Sequence, residues 1–444
     1  MFLILVVLTA LVALVSFWLI YRKTKDIFHP LMFLVPMFLS LYVFLPLKLF
    51  NENALSTFFS DGELVYVQLI NLLGVACVCL GCLFASRGSA GTHDYSERSS
   101  VMNKKLLAGA YVLGVVGVSA YLAGIINVGG LVEAYSLPYG GGWSDIGYVR
   151  ELVLLCVPAI TFIFVAKAGK KPTAFQWSST GIFAAPLLLH GLLGARRGPL
   201  FLVLAVVFFS WYLTRCKRPR TLFFALAGFS VGVFLLFLVS NRGSFYVGSD
   251  WNFEEPLGQY LEASTGNEYI YGAGAILHAA KTGDYYWGHR YLAILFVRPV
   301  PRQLWPDKYE AVGMGSLEHN LGTGGAEFLW TLGWAGANGA APGIVSDLWI
   351  EAWWFSLIVL FGIGWFYGRA WRAACFTNGF FGVAYVFMVS LSIFLVFQTL
   401  EAMLFRFLFM TIPAWVVWQW AAVHHYESAY MFKSTVSSGH KEGS

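Results

Sequence analysis

Long uninterrupted runs of apolar residues dominate the pattern of hydrophobic and polar positions along this chain. An apolar run of roughly 17–25 residues can cross about 30 Å of hydrocarbon as an α-helix. About eleven such runs recur, at residues 1–20, 29–50, 63–86, 106–126, 151–168, 178–194, 198–214, 221–240, 344–367, 380–397 and 404–423. The pattern therefore predicts an all-α polytopic membrane protein.

The longest polar stretch separates the eighth apolar run from the ninth and covers residues 241–343. It contains several tryptophans and a helix predicted at residues 268–281 (EYIYGAGAILHAAK) with one apolar face. Loops of this length are usually functional, and we expect this one to be folded and external. The predicted division is transmembrane helices 1–8 in residues 1–240, this loop, transmembrane helices 9–11 in residues 344–423, and a tail in residues 424–444.

Lysines and arginines in the short loops indicate how the predicted helices are oriented, because cytoplasmic loops are enriched in them. A basic segment follows every odd-numbered helix, as at Arg22 and Lys23 after the first and at Arg215 and Lys217 after the seventh. The N-terminus is therefore predicted to be periplasmic and the C-terminus cytoplasmic, which places the long polar loop on the external side.

Composition excludes a soluble protein and gives no sign of nucleic-acid binding. The 444 residues are 58% hydrophobic and 12% charged, whereas soluble domains carry roughly 25% charged residues. The net charge of +5 is accounted for by the predicted cytoplasmic loops. The six cysteines lie in predicted helices or on the cytoplasmic side, so no disulfide framework is expected.

Arginines also collect at the predicted external ends of the helices, against the usual bias. They are Arg196 and Arg197 in the GARRG turn, Arg242 in SNRGS, Arg298 and Arg302 in RPVPRQLWPDK, and Arg406. A long side chain that reaches up to the lipid phosphates is the alternative interpretation, but it explains neither two adjacent arginines between glycines nor a pair on a proline-stiffened segment. Because arginine forks two hydrogen bonds onto phosphate oxygens, the set predicts a site for a lipid-linked pyrophosphate.

A metal ion is the other group that holds pyrophosphate. The one matching motif noted, Asp61-Gly-Glu63, is better explained as the cap of the third helix. With so many arginines present, we expect neither a metal nor another cofactor.

The segment YYWGHRYLAILFVRPVPRQLWPDK (residues 285–308) resembles the signature of Wzy-type oligosaccharide repeat-unit polymerases. In that family a G-x-x-Y segment leads into an R/I-P-R-x-x-W-P-x-K run. The glycine-flanked turn at residues 194–198 and the glycine-rich approach to the ninth helix are similar to the family too. Where the resemblance leads us to expect a glutamate at the start of that helix, the chain has Asp347.

The resemblance implies a GT-C-like, metal-independent glycosyltransferase in the bacterial inner membrane. Such polymerases join oligosaccharides carried on undecaprenyl pyrophosphate into O-antigen, capsule or exopolysaccharide, and a chain-length regulator is a possible membrane partner. An O-antigen ligase would use a similar set of arginines. A transporter or flippase of lipid-linked oligosaccharide is the alternative from another class, although it would predict charges along mid-membrane helices and internal repeats.

Glycosyl transfer also needs a base for the acceptor hydroxyl and surfaces that hold sugar rings. His319 and Asp347 are the two candidate bases, and Glu327 is the third; a neutral histidine accepts a proton near pH 6.5, and a carboxylate within the membrane is usually functional. An ordinary loop histidine and a helix N-terminal charge are the alternative interpretations. Trp305 and Tyr286 are the candidate sugar-stacking residues.

Overall fold

A computed structural model of the chain describes residues 1–86, 100–137, 151–168, 170–215, 219–241, 246–248, 268–300, 302–315, 341–376 and 379–438. Throughout these ranges the regular structure is helical, and they contain no β-strand. Six of the described helices are long and apolar enough to cross a membrane. The protein is therefore an all-α, multi-pass membrane protein, as the apolar runs predict.

The described residues form a series of longer helices. They are α1 (Phe2–Thr24), α2 (Leu31–Asn51), α3 (Asp61–Ala85), α4 (Ser100–Asn127), α5 (Glu151–Ala166), α6 (Ala174–Leu192), α7 (Arg197–Leu213), α8 (Thr221–Ser240), α9 (Glu268–Thr282), α10 (Gly343–Ala352), α11 (Ser356–Phe376), α12 (Phe380–Ser390), α13 (Ser392–Phe397) and α14 (Leu400–Ser438). Every predicted span coincides in sequence with one or two of these helices. The number of membrane crossings stays a prediction, since several of them are shorter than a full span.

Three predicted spans differ from the helices that form. Residues 344–367 were expected as one helix, but a 3-10 turn at Trp353–Phe355 separates α10 from α11, and Trp353 has a φ of 49°. Residues 380–397 are likewise interrupted at Leu391, between α12 and α13. The helix predicted at 404–423 begins at Leu400 and continues to Ser438.

The tightest packing in the bundle is the crossing of α3 and α11. A Cβ atom added to Gly81 would lie 2.1 Å from the carbonyl oxygen of Phe361, and one added to Gly364 would lie 2.1 Å from that of Val78. The two backbones therefore touch directly, and only glycine permits that approach. This crossing fixes α11, and with it the neighbouring α10, against the rest of the bundle.

Helix α9 confirms the helix predicted at 268–281, but its environment differs from the prediction. The residues of the expected apolar face are buried, but so are all the others from Glu268 to Leu277. Gly272 explains part of this burial, because a Cβ there would lie 2.5 Å from the carbonyl oxygen of Pro342. The Tyr269 hydroxyl donates a hydrogen bond to Gln68 of α3 at 3.0 Å. Helix α9 is thus packed into the end of the bundle, which we call the loop end.

Candidate functional site

A fully buried arginine lies at the centre of the loop end. Arg290, on the short helix His289–Leu292, has no exposed side-chain surface. Its guanidinium donates to the carboxylate of Asp347 and, at 2.5 Å, to Glu351. The two carboxylates are four residues apart on α10 and therefore lie on one face of that helix. We call these three residues the Arg290 cluster.

Asp347, a predicted base, has both carboxylate oxygens engaged. One oxygen faces Arg290, and the other accepts hydrogen bonds from the Tyr291 hydroxyl at 2.6 Å and from the backbone N–H of Leu400 at 2.8 Å. Burial and then the neighbouring charge of Asp347 hold the pKa of Tyr291 well above its ordinary value. Asp347 is therefore held by three donors, which fix its carboxylate between Arg290, Tyr291 and the start of α14.

The backbone before Arg290 is hydrogen-bonded to the end of α10. The N–H groups of Tyr286 and Trp287 donate to the carbonyl oxygens of Ile350 and Glu351 at 2.9 and 2.6 Å. The N–H of Gly288 donates to the second carboxylate oxygen of Glu351 at 2.9 Å. Tyr286, a predicted sugar-stacking residue, is half-buried, and the guanidinium of the arginine lies 5.8 Å from its ring centroid. This segment is therefore held in one place relative to α10.

Three of the predicted arginines converge on one stretch of chain at the same end, residues 394–405. Their guanidinium carbons lie over phenylalanine rings: Arg406 over Phe394 at 4.4 Å, Arg197 over Phe397 at 5.4 Å, and Arg298 over Phe405 at 4.7 Å. We call Arg197, Arg298 and Arg406 the arginine rim. A ring supports the face of a guanidinium while its N–H edge remains able to donate. Three arginines from different parts of the sequence thus contact residues 394–405.

Each rim arginine has a polar partner. Arg197 pairs with Glu268 at 2.5 Å, and Arg298 lies 4.0 Å from Glu151. Arg406 donates to the carbonyl oxygen of Ala402 at 2.7 Å. The Arg197 and Arg298 side chains are 30% and 26% exposed, whereas the Glu268 side chain is only 9% exposed. A phosphate at the rim would therefore compete easily with the long Arg298–Glu151 contact, a partly exposed pair worth about 0–1 kcal/mol, and would bind beside the Arg197–Glu268 pair without breaking it.

Lys308 stabilises the backbone of the proline-containing segment beside the rim, which starts at Arg298. The Lys308 ammonium group donates to the carbonyl oxygens of Arg298 and Val300 at 2.9 and 2.6 Å. Burial, and then the charges of Arg302 and Arg298, lower the pKa of Lys308. Arg302 is exposed and Trp305 is half-buried. The loop therefore presents a further cation next to the rim on a fixed backbone.

The remaining predicted residues are placed less centrally or are outside the described residues. Arg196 is half-buried and immediately precedes α7. Arg242, His319 and Glu327 lie outside the described residues. The predicted cap on the third helix is confirmed, because Glu63 and Ser60 form a capping box at the start of α3. Among the residues that the structure describes, no three His, Cys, Asp or Glu side chains are grouped so as to hold a metal ion.

Glu401 is a buried carboxylate that the sequence interpretation did not select as a site residue. It lies in the first turn of α14 and is 3% exposed. The Thr399 hydroxyl donates to its Oε1 at 2.9 Å, whereas its Oε2 accepts no hydrogen bond from the described part of the chain. Arg290, Asp347 and Arg298 are the charged groups whose fields reach it. Glu401 therefore lies between the Arg290 cluster and the arginine rim.

Sequence reasoning also missed Arg290 and Glu351, although a signal for them exists. Asp347 and Glu351 form an i, i+4 pair of carboxylates in an apolar helix, and such a pair requires a cation nearby. Arg290 lies in the quoted YYWGHRYL segment, but its sequence neighbours gave no reason to select it as a site residue ahead of Arg298 and Arg302, which flank two prolines.

The fold and these contacts define a class: a multi-pass helical membrane protein with arginines and carboxylates gathered at one end of its helices. No protein-family model, curated protein or solved structure matches the chain.

Proposed function

We propose that this protein is a membrane-embedded glycosyltransferase that polymerises undecaprenyl-pyrophosphate-linked oligosaccharide units into a surface polysaccharide. In this proposal it acts at the outer face of the bacterial inner membrane. The observation that carries the proposal is the arginine rim, where Arg197, Arg298 and Arg406 meet around residues 394–405. Such a concentration of forked cations fits a lipid-linked pyrophosphate.

The chemistry of the transfer assigns a role to each part of the site. Pyrophosphate is a good leaving group and needs no general acid, but its developing negative charge must be stabilised. Preorganised arginines in a water-poor site do this well, because they need no reorganisation during the reaction. Arg302 and Lys308 lie beside the rim and would add to the field around the second phosphate.

The resemblance of residues 285–308 to Wzy-type polymerases supports the same proposal. Those residues contain Arg290, which holds the segment on α10, and Arg298, which belongs to the rim. One stretch of chain would therefore couple the folded external segment to the pyrophosphate site. His319 and Asp347 stay the predicted bases, Trp305 and Tyr286 the predicted sugar-stacking residues, and a chain-length regulator a proposed partner.

The test is a glycan ladder formed by the purified protein in detergent with EDTA present. The substrate is lipid-linked oligosaccharide extracted from source cells that lack this protein, since such cells would accumulate the unpolymerised unit. We expect a ladder of longer glycans from the wild type and a strongly reduced one from Arg298→Lys, which keeps the charge but loses the fork. Arg372→Lys is the matched control, because Arg372 lies towards the far end of α11 and donates to the carbonyl oxygen of Ala85.

Two other outcomes would replace the proposal. Transfer of one unit to a different acceptor without a ladder would indicate an O-antigen ligase. Movement of the lipid across liposome membranes without any new glycosidic bond would indicate a transporter, and the arginine rim would then be its docking site.

A further inference from the structure

Three carboxylates and one arginine are buried together at the loop end, and their contacts are unequal. Asp347, Glu351 and Glu401 are each at most 3% exposed, and Arg290 is the fully buried cation among them. Arg290 donates directly to Asp347 and Glu351. Glu401 receives one hydrogen bond, from the neutral hydroxyl of Thr399. One carboxylate is therefore left with little direct compensation for its charge, which is costly at such burial.

The open oxygen singles out Glu401 among the three. Both oxygens of Asp347 and both oxygens of Glu351 accept hydrogen bonds. The Oε2 atom of Glu401 is buried and has no hydrogen-bond partner in the ranges that the structure describes. A buried carboxylate oxygen with no donor is uncommon in folded proteins, and it indicates a position from which a partner is missing.

The position of Glu401 fits a partner that arrives with the substrate. Glu401 lies one helical turn before Phe405, and the guanidinium of Arg298 in the arginine rim lies over the Phe405 ring. Ala402, Leu404 and Phe405 are partly exposed, so Glu401 lies at the edge of the buried cluster. A sugar whose pyrophosphate is held by the rim would bring its reacting carbon to this edge.

We propose that Glu401, in place of His319 or Asp347, is the base of the transfer reaction, an inference that rests on the proposed function. Its Oε2 takes the proton of the acceptor sugar's hydroxyl while that oxygen forms the new bond to the anomeric carbon of the donor. The bond from that carbon to the pyrophosphate oxygen breaks, and its electron pair leaves with undecaprenyl pyrophosphate. Asp347 and Glu351 then hold the segment through Arg290, and the field of Arg290 acts on Glu401 without a direct hydrogen bond.

The test is the pH dependence of the transfer rate in Glu401→Gln, which keeps the shape of the side chain but cannot accept the proton. We expect the rate to fall about 10²–10⁴-fold, the usual contribution of general base catalysis. Binding of undecaprenyl pyrophosphate alone, followed by native mass spectrometry, should stay within about twofold of the wild type, on the order of the error of such a comparison. The wild-type rate should decrease towards acid pH with one ionisation, and the variant should lose that acid limb.

The groups that face Glu401 set the controls. They are Arg290 and Arg298 from residues 289–298, and Asp347 from α10. The Glu401→Asp variant keeps the charge, but its side chain is shorter by one methylene group. Its transfer rate should therefore be lower but should still decrease towards acid pH. If Glu401→Gln does not fold, the test uses the Glu401→Asp variant and the pH profile of the wild type. The inference is overturned if Glu401→Asp transfers at the wild-type rate and the wild-type rate does not decrease towards acid pH.

Failure of this inference is distinguishable from failure of the proposed function. A wild-type protein that makes no glycan ladder contradicts both. A wild-type ladder that Glu401→Gln makes at the same rate, with the same pH profile, contradicts only the role of Glu401 and makes its carboxylate structural.

Discussion

The Arg290 cluster and the arginine rim use the same side chain at the same end of the molecule in opposite ways. Arg290 has no exposed side-chain surface and donates to two carboxylates. The rim arginines Arg197 and Arg298 are 30% and 26% exposed and rest on phenylalanine rings. A buried, doubly paired arginine has no capacity left for a ligand. A partly exposed guanidinium on a ring keeps its N–H edge within reach of one.

The number of arginines at a site therefore does not measure its capacity for phosphate. The direct contacts of each guanidinium decide whether it holds the fold or is able to bind an anion. Four measurements test the distinction between the buried and the partly exposed arginines.

The largest expected effect comes from Arg290→Met. It leaves Asp347 and Glu351 buried without their cation, and removing one partner of a buried pair costs about 3–5 kcal/mol of folding free energy. Thermal unfolding of the purified protein in detergent measures the loss. The exposed Arg302→Met should stay within about 0.5 kcal/mol. An equal loss in both variants would contradict the distinction, whereas recovery in the triple variant that adds Asp347→Leu and Glu351→Met would sharpen it.

The next effect tests the crossing of α3 and α11, which holds α11 and the neighbouring α10 in place. Gly364→Ala places a methyl group against the carbonyl of Val78, and overpacking of this kind costs about 1–3 kcal/mol. Gly362→Ala, two residues away with nothing within 4 Å of its Cβ position, should instead stabilise the helix by about 0.5–1 kcal/mol. The two melting temperatures should move in opposite directions. Affinity for undecaprenyl pyrophosphate, corrected for folded protein, should not change, because the crossing does not touch the rim.

A smaller effect is expected where the rim binds its ligand. Arg298→Lys should weaken binding of undecaprenyl pyrophosphate roughly tenfold, since a lost charge-assisted hydrogen bond is worth about 1.5 kcal/mol. Its melting temperature should match that of the wild type, which is the reverse of the result for Arg290→Met. Arg372→Lys serves as the control at the other end of α11. A large drop in stability in Arg298→Lys would place that residue with the Arg290 cluster.

The smallest effect concerns an ion pair that resembles neither group. Lys281 of α9 lies 2.6 Å from Glu63 of α3, and its side chain is 56% exposed. Lys281→Met should cost no more than about 1 kcal/mol, and less as salt concentration rises. Unfolding at low and high ionic strength checks this. A loss comparable with that of Arg290→Met would show that exposure is not what separates the arginine groups.

The sequence predicts the helices of this protein well because apolar length is a local property. The runs around α1 to α8 need no knowledge of their neighbours, and the same holds for the helix at Glu268–Thr282. The breaks at Trp353–Phe355 and Leu391 are different. Neither contains proline or glycine, so no local rule marks them.

The candidate site was predictable in its type of residue but not in its pairing. The GARRG turn and the proline-flanked arginines indicated a cationic site, and Arg197 and Arg298 do belong to the rim. Which arginine would be buried depended on the carboxylates of α10, more than fifty residues further along the chain. Glu401 was visible in the sequence, yet only its open oxygen distinguishes it from a helix-capping residue.

The burial of α9 has a consequence for the biogenesis of this protein. Its contacts include Pro342 and Ser346 at the start of α10, a helix that is synthesised later. When α9 is synthesised, this part of its binding surface does not yet exist. Its packing against α3 can form early, whereas its packing against α10 must wait for α10, so assembly of the loop end is a late event that follows synthesis of the helices on both sides.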